Sequence, residues 1–188
     1  DQLGINSSDL KYTELINIRN KIGTEKSLFD ENKNFYKVHD AFTNPLVPNV
    51  PALCTKGCLG IVYILRNPYD ISISLSNFFS WPLNKTIDFM INDNAKLGNP
   101  FCGGPMIDQF LGNWGFHIES WTEQNYVPVL LMKYEELIDD PLGNFTKLSE
   151  FLNLNTDENL VKASLNNVKF ENLKKFEQNE GGFCEAPH

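Results

Sequence analysis

The sequence predicts an α/β layered fold with a mainly parallel sheet, and three observations carry that prediction. The run GIVYIL (60–65) is continuously apolar and rich in Ile and Val, which suits a strand covered on both faces. A second run of the same kind, VPVLLM (127–132), ends in polar residues. Segments with apolar residues at helical spacing lie between and after them, and strands separated by helices pair in parallel through crossovers. A chain of 188 residues can bury one shared core without disulfide or metal staples. A single domain over 1–188 is therefore expected, with its core at 33–176.

The elements follow in order. SSDLKYTELINIRNKIG offers serine and aspartate caps and apolar residues at Leu10, Leu15, Ile18 and Ile22, so the first thirty residues read as partly helical. NFYKVHDAF alternates like a short strand near Phe35–Val38, and the proline-rich NPLVPNVPALCTKGC is loop. After the strand at 60–65 a helix is expected from Pro68 to Phe79. Residues 81–105 read as an insertion with one short helix, closed by glycines and a proline. The spacing Met106, Phe110, Trp114, Ile118, Trp121 predicts a long amphipathic helix ending near Asn125. Glu135 and Glu136 read as a turn or helix start. Asp140 caps a helix with Pro141 in its first turn and Leu142, Phe145, Leu148, Phe151 and Leu152 inward. A final helical stretch begins near Thr156 or Asn159.

Composition excludes several function classes. The net charge of −8 disfavours a nucleic-acid or anionic-membrane binder, which needs a basic face. No apolar run approaches the roughly 18 residues of a membrane helix. The start DQLGINSSDL has neither a basic region nor an apolar signal core, so a cytoplasmic protein is expected. Four cysteines are too sparse for a disulfide scaffold, and Cys54 and Cys58 lack a second pair at metal-ligand spacing, so no metal is expected.

The chain has two arginines, Arg19 and Arg66, and Arg66 falls where the first buried strand ends. Ligands of open α/β sheets bind at the carboxyl ends of strands, where helix amino termini also point. In RNPYD, Asn67 is a good N-cap, Pro68 suits the first helical position, and Asp70 is placed to reach back as a capping-box acid. Free N–H groups beside a guanidinium make an anion site, most naturally for a phosphate. Ser74, two turns in, adds a hydroxyl donor. The competing interpretation pairs Arg66 with a carboxylate at the sheet edge and packs Ser74.

YILRNPYDISISLSNFF resembles the sulfotransferase family that uses 3′-phosphoadenosine 5′-phosphosulfate (PAPS), whose pattern is R-[ND]-P-x-D-x-x-x-S-x-x-x-F after a strand. Arg66, Asn67, Pro68, Asp70, Ser74 and Phe78 fill its fixed positions. GNWGFHIESW resembles the family's G-x-W-x-x-H-x-x-x-W at Gly112, Trp114, His117 and Trp121. LLMKYEELIDDPLGNFTKLSEFLNL resembles its strand, Y-E-x-L turn and helix, and VKFENLKK its adenine-contacting segment. The resemblance implies a three-layer αβα fold of the P-loop NTPase-like kind. It also implies PAPS as co-substrate and 3′-phosphoadenosine 5′-phosphate (PAP) as product. Arg66 and Ser74 would hold the 3′-phosphate, and Tyr134 and Phe170 the base.

FYKVHDAF resembles the family's K-x-H segment, in which the histidine is the general base. Strand alternation would turn Lys37 and His39 to one face. An acceptor hydroxyl or amine must lose a proton as sulfur is attacked, and neutral imidazole titrates in the right range. His39 is thus the candidate base, with Lys37 stabilising charge on the sulfuryl oxygens. Many family members continue with Leu-Pro where this chain has Asp40 and Ala41, a carboxylate that could orient the base or reshape the acceptor pocket. His117 either points into the acceptor cavity or is a buried hydrogen-bonded imidazole between two indoles. Phe42, Phe78, Trp81 and Phe116 either line an apolar acceptor site or are core.

Nothing before Lys37 resembles the family's phosphate loop, and NEGGFCEAPH stops short of its R-K-G segment. A fragment, inactive by itself, is the expectation from this. The function expected is transfer of a sulfuryl group to a small-molecule hydroxyl or amine, without nucleic-acid or membrane partners and with homodimerisation left open. The alternative is a non-catalytic nucleotide-binding or scaffold domain of the same fold.

Overall fold

A computed structural model describes residues 12–29, 34–47, 50–98 and 108–180. The chain divides into two compact units, residues 1–131 and 132–188. The first unit opens with α1 (Tyr12–Phe29). Strand β1 (Ile61–Leu65) runs straight into α2 (Pro68–Phe79), as the turn chemistry requires. Asn67 caps α2 by accepting from the Tyr69 N–H at 2.9 Å, and Pro68 sits in the first turn where its missing N–H costs nothing. The predicted and observed bounds of α2 coincide.

The helix ends at Ser80, a non-glycine residue at φ 52° whose N–H turns back to the carbonyls of Asn77 and Ser76. Helix α3 (Leu83–Met90) packs on α2, and β2 (Lys96–Leu97) pairs antiparallel with β3 (Gln109–Phe110) in register Lys96 to Phe110. Helix α4 (Trp114–Thr122) follows, then β4 (Val129–Lys133), which lies beside β1 in a two-stranded parallel sheet. The Ile61 N–H donates to the Pro128 carbonyl at 2.9 Å. The core of this unit gathers Leu15, Ile16, Ala41, Phe42, Ala52, Ala95, Trp121 and Val127.

The second unit is helical: α5 (Tyr134–Asp139), α6 (Pro141–Phe151), α7 (Glu158–Asn167) and α8 (Phe170–Glu180). Asp140 caps α6 through the Gly143 N–H at 3.0 Å. Buried Asn144 donates to the carbonyls of Glu136 and Asp140, both at 2.8 Å, and so ties α5 to α6.

Four expectations are corrected. Residues 35–38 form no strand: Phe35 and Tyr36 are each 69% exposed, and an alternating segment becomes a strand only when a neighbour supplies its ladder. No strand pleat therefore turns Lys37 and His39 to one face. The long helix predicted from Met106 starts only at Trp114, because Gly112 takes a left-handed φ of 66° and Asn113 accepts from the Phe116 N–H at 2.8 Å to begin a new helix. Phe110 is in β3, and Met106 lies outside the described residues. Helix α1 buries Leu15 and Ile16, whereas Ile22 is 42% exposed, and Leu10 lies outside the described residues. Finally, the single helical stretch expected from near Thr156 or Asn159 is two helices: α7 starts at Glu158, where expected, with Asp157 accepting from the N–H groups of Asn159 and Leu160, and it breaks at Val168 before α8.

Candidate functional site

The anion-binding candidate is built by the β1–α2 junction. Strand β1 delivers Arg66 to the amino terminus of α2, with its side chain 38% exposed and Nη2 4.0 Å from the Asp70 carboxylate one turn on. The contact is long and both side chains are partly exposed, so it is a weak one. Ser74 is exposed on the same helix. The helix dipole and the guanidinium favour an anion here, whereas the Tyr69 N–H is taken by the Asn67 cap and Pro68 has none. In the second unit, Tyr134 begins α5 at 38% exposure and Phe170 begins α8 at 78%.

The candidate base segment is held from α4. Lys37 and His39 are exposed, whereas Asp40, Ala41 and Phe42 are buried. The Ala41 N–H donates to the Phe110 carbonyl at 2.7 Å. His117 Nε2 lies 3.1 Å from the His39 carbonyl, and the Trp121 indole donates to the Asp40 carbonyl at 3.1 Å. The Phe42 N–H donates to Ser120 Oγ at 3.1 Å. Behind His117, the Tyr63 hydroxyl is 2.8 Å from Nδ1.

Burial disfavours the charged forms in this cluster. It lowers the His117 pKa, against an opposing pull from the His39 carbonyl and Asp40, and pushes Tyr63 up to about 12. Burial also raises the Asp40 carboxyl, partly offset by Arg19 at 3.1 Å. Neutral His117 and un-ionised Tyr63 are thus the forms present near pH 7.

The remaining candidates divide into two groups. Phe42 and Phe116 line one shallow depression of about 320 Å³ that Tyr126, Glu119 and Glu123 complete. Phe42 itself is fully buried, 5.2 Å from the Trp121 ring. Phe78 and Trp81 meet through Phe79, at 4.9 and 4.6 Å between ring centroids, and Lys85 lies over Trp81 at 4.2 Å. Sequence reasoning missed Tyr63, Ser120 and the Arg19–Asp40 pair. A tyrosine inside an apolar strand and a serine three residues after His117 are the marks that could have drawn attention to them. Among the described residues no group of His, Cys, Asp and Glu could hold a metal ion, and no helix is long and apolar enough to cross a membrane.

The family profile described as the sulfotransferase domain matches residues 29–182. The chain belongs to the sulfotransferase family. The αβα sulfotransferase fold, present in part, follows from that membership. Among its relatives, Cytosolic sulfotransferase 14 of Arabidopsis thaliana is 34% identical over 127 residues, covering 64% of this chain and 36% of that protein. Amine sulfotransferase of Oryctolagus cuniculus is 30% identical over 115 residues, covering 61% and 36%. The chain thus spans little more than a third of the length of each of these two proteins. A solved structure of mouse sulfotransferase SULT7A1 complexed with PAP aligns at a TM-score of 0.49 and 21% identity, over 65% of this chain and 44% of that one.

Proposed function

We propose that this sulfotransferase domain transfers a sulfuryl group from PAPS to a hydroxyl or amine of a small-molecule acceptor in the cytoplasm. One observation carries the reading: Arg66 stands half-exposed where β1 gives way to the capped first turn of α2, with Ser74 exposed further along that helix. A guanidinium at the positive end of a helix dipole, with a hydroxyl two turns on, is a donor set that suits a phosphate monoester. Arg66 and Ser74 would hold the 3′-phosphate, Tyr134 and Phe170 the adenine, and the whole of 1–188 would act as one domain with 81–105 inserted in its 33–176 core.

PAPS when bound supplies the electrophilic sulfur and a leaving phosphate. The acceptor oxygen or nitrogen attacks that sulfur in line, the bond to the bridging oxygen breaks, and PAP departs. His39, an exposed residue, would take the acceptor proton, and Lys37 would offset charge on the sulfuryl oxygens. Phe78, Trp81 and His117 are assigned to the acceptor side, whereas Phe42, the remaining candidate, is fully buried and belongs to the core. No metal is needed for this donor set.

Calorimetric titration of the intact protein with PAP tests the reading. Arg66→Ala is expected to weaken binding by roughly 2 to 5 kcal/mol, as when one partner of a charge pair is truncated. Unchanged affinity would overturn the assignment. Binding of PAP without turnover in an acceptor screen with labelled donor would favour the non-catalytic alternative.

A further inference from the structure

Helix α4 presents His117, Ser120 and Trp121 on one face, since positions three and four apart coincide on a helix. Each meets the main chain of one short stretch: His117 at the His39 carbonyl, Trp121 at the Asp40 carbonyl, Ser120 at the Phe42 N–H. Residues 34–39 belong to no strand. Side-chain bonds from α4 therefore supply, at residue 39, the registration that a sheet ladder would otherwise supply.

The hydrogen positions at His117 follow from its partners. A carbonyl only accepts, so Nε2 carries the hydrogen and donates to His39. Nδ1 is then a lone pair, and Tyr63 donates to it. The chain Tyr63 hydroxyl, His117 ring, His39 carbonyl runs from the sheet to the residue assigned as base. The titratable groups facing His117 are Tyr63, Asp40 and His39.

We propose that His117 is a positioning residue: backed by Tyr63, it holds the His39 main chain and so aims the His39 imidazole at the acceptor proton. This rests on the reading of His39 as base, and it moves His117 from the acceptor side to a role exercised through another residue.

The chain has three histidines, His39, His117 and His188, so imidazole ¹⁵N resonances of the full chain can be assigned by substitution. His117 is expected as the neutral Nε2–H tautomer. In His117→Phe the His39 resonances should move toward those of a free histidine. His117→Gln, which keeps a donor at the position of Nε2, should hold them, and the milder Tyr63→Phe should move them part of the way. In turnover, His117→Phe is expected to lower kcat roughly ten- to a hundredfold, the scale of a small misplacement, with KM for the nucleotide unchanged. His117→Gln should recover most of that loss. Unmoved His39 resonances in both His117→Phe and Tyr63→Phe would overturn the proposal, as would equal loss of kcat in the Gln and Phe variants. Turnover that survives His39→Ala would sink the base assignment alone, because the resonance shifts report the positioning contact independently.

Discussion

Arg19 on α1 and Asp40, the residue beside His39, form an ion pair: Nη1 lies 3.1 Å from Oδ2. Asp40 is 2% exposed, and its other oxygen is buried without a hydrogen-bond partner among the described residues. Where the resemblance has Leu-Pro after the base, this chain anchors the segment inward on a charge.

That pair is asymmetric in cost. Arg19→Ala strands a buried carboxylate and should cost about 3 kcal/mol near neutral pH, whereas Asp40→Asn keeps an oxygen for Arg19 and should cost about 1 kcal/mol. Because burial raises the Asp40 pKa, its favourable contribution is complete below the ordinary value of 3.8 and is lost as pH rises through the folded value. The Arg19→Ala deficit should therefore shrink on acidification. Urea midpoints at pH 7 and pH 5 check this, and a pH-independent deficit would contradict it.

His117 acts with the opposite sign. Its pKa is lowered by burial, so its contribution to stability is complete above the ordinary value of 6.5 and is lost as pH falls through the folded value. His117→Gln should flatten the stability profile below pH 6.5 relative to the wild type, measured by thermal unfolding across that range.

Ser74 is exposed and free of a core role. Ser74→Ala should weaken PAP binding by about 1.5 to 3 kcal/mol, the range for a hydrogen bond to a charged group, while shifting the unfolding free energy by less than about 0.5 kcal/mol. Calorimetry and thermal melts on the same sample separate the two effects. Unchanged affinity in a Ser74→Ala protein that melts like the wild type would contradict the assignment.

Ser80 ends α2 in the left-handed region at φ 52°, where a Cβ is strained. Ser80→Gly should stabilise the protein by up to about 1 kcal/mol, net of the added freedom of the unfolded chain. The melting temperature should rise, and Ser80→Val should lower it.

The β1–α2 junction was legible because every residue of RNPYD has a local job: a cap, a φ-fixed first position, a charge at the strand end. The same holds for Asp140 before α6. The stretch before His39 was misread because FYKV alternates as strands do, yet alternation describes only a preference for one covered face. The start of α4 was misread because apolar spacing ran unbroken across Gly112, and spacing alone does not register a backbone that must turn at φ 66°.

The positions of β1 and β4, the caps Asn67 and Asp140 and the ordered motifs that place the chain among sulfotransferases were determined by the sequence alone, since each acts over a few consecutive residues; the covering of β1 on both faces was not, for Ile64 is 60% exposed. Tertiary structure alone decided which partners hold residues 39 to 42. Tyr63 meets His117 across 54 positions, His117 meets His39 across 78 and Trp121 meets Asp40 across 81. Pairings at such separations depend on how whole elements pack, and periodicity within any one element carries no record of them.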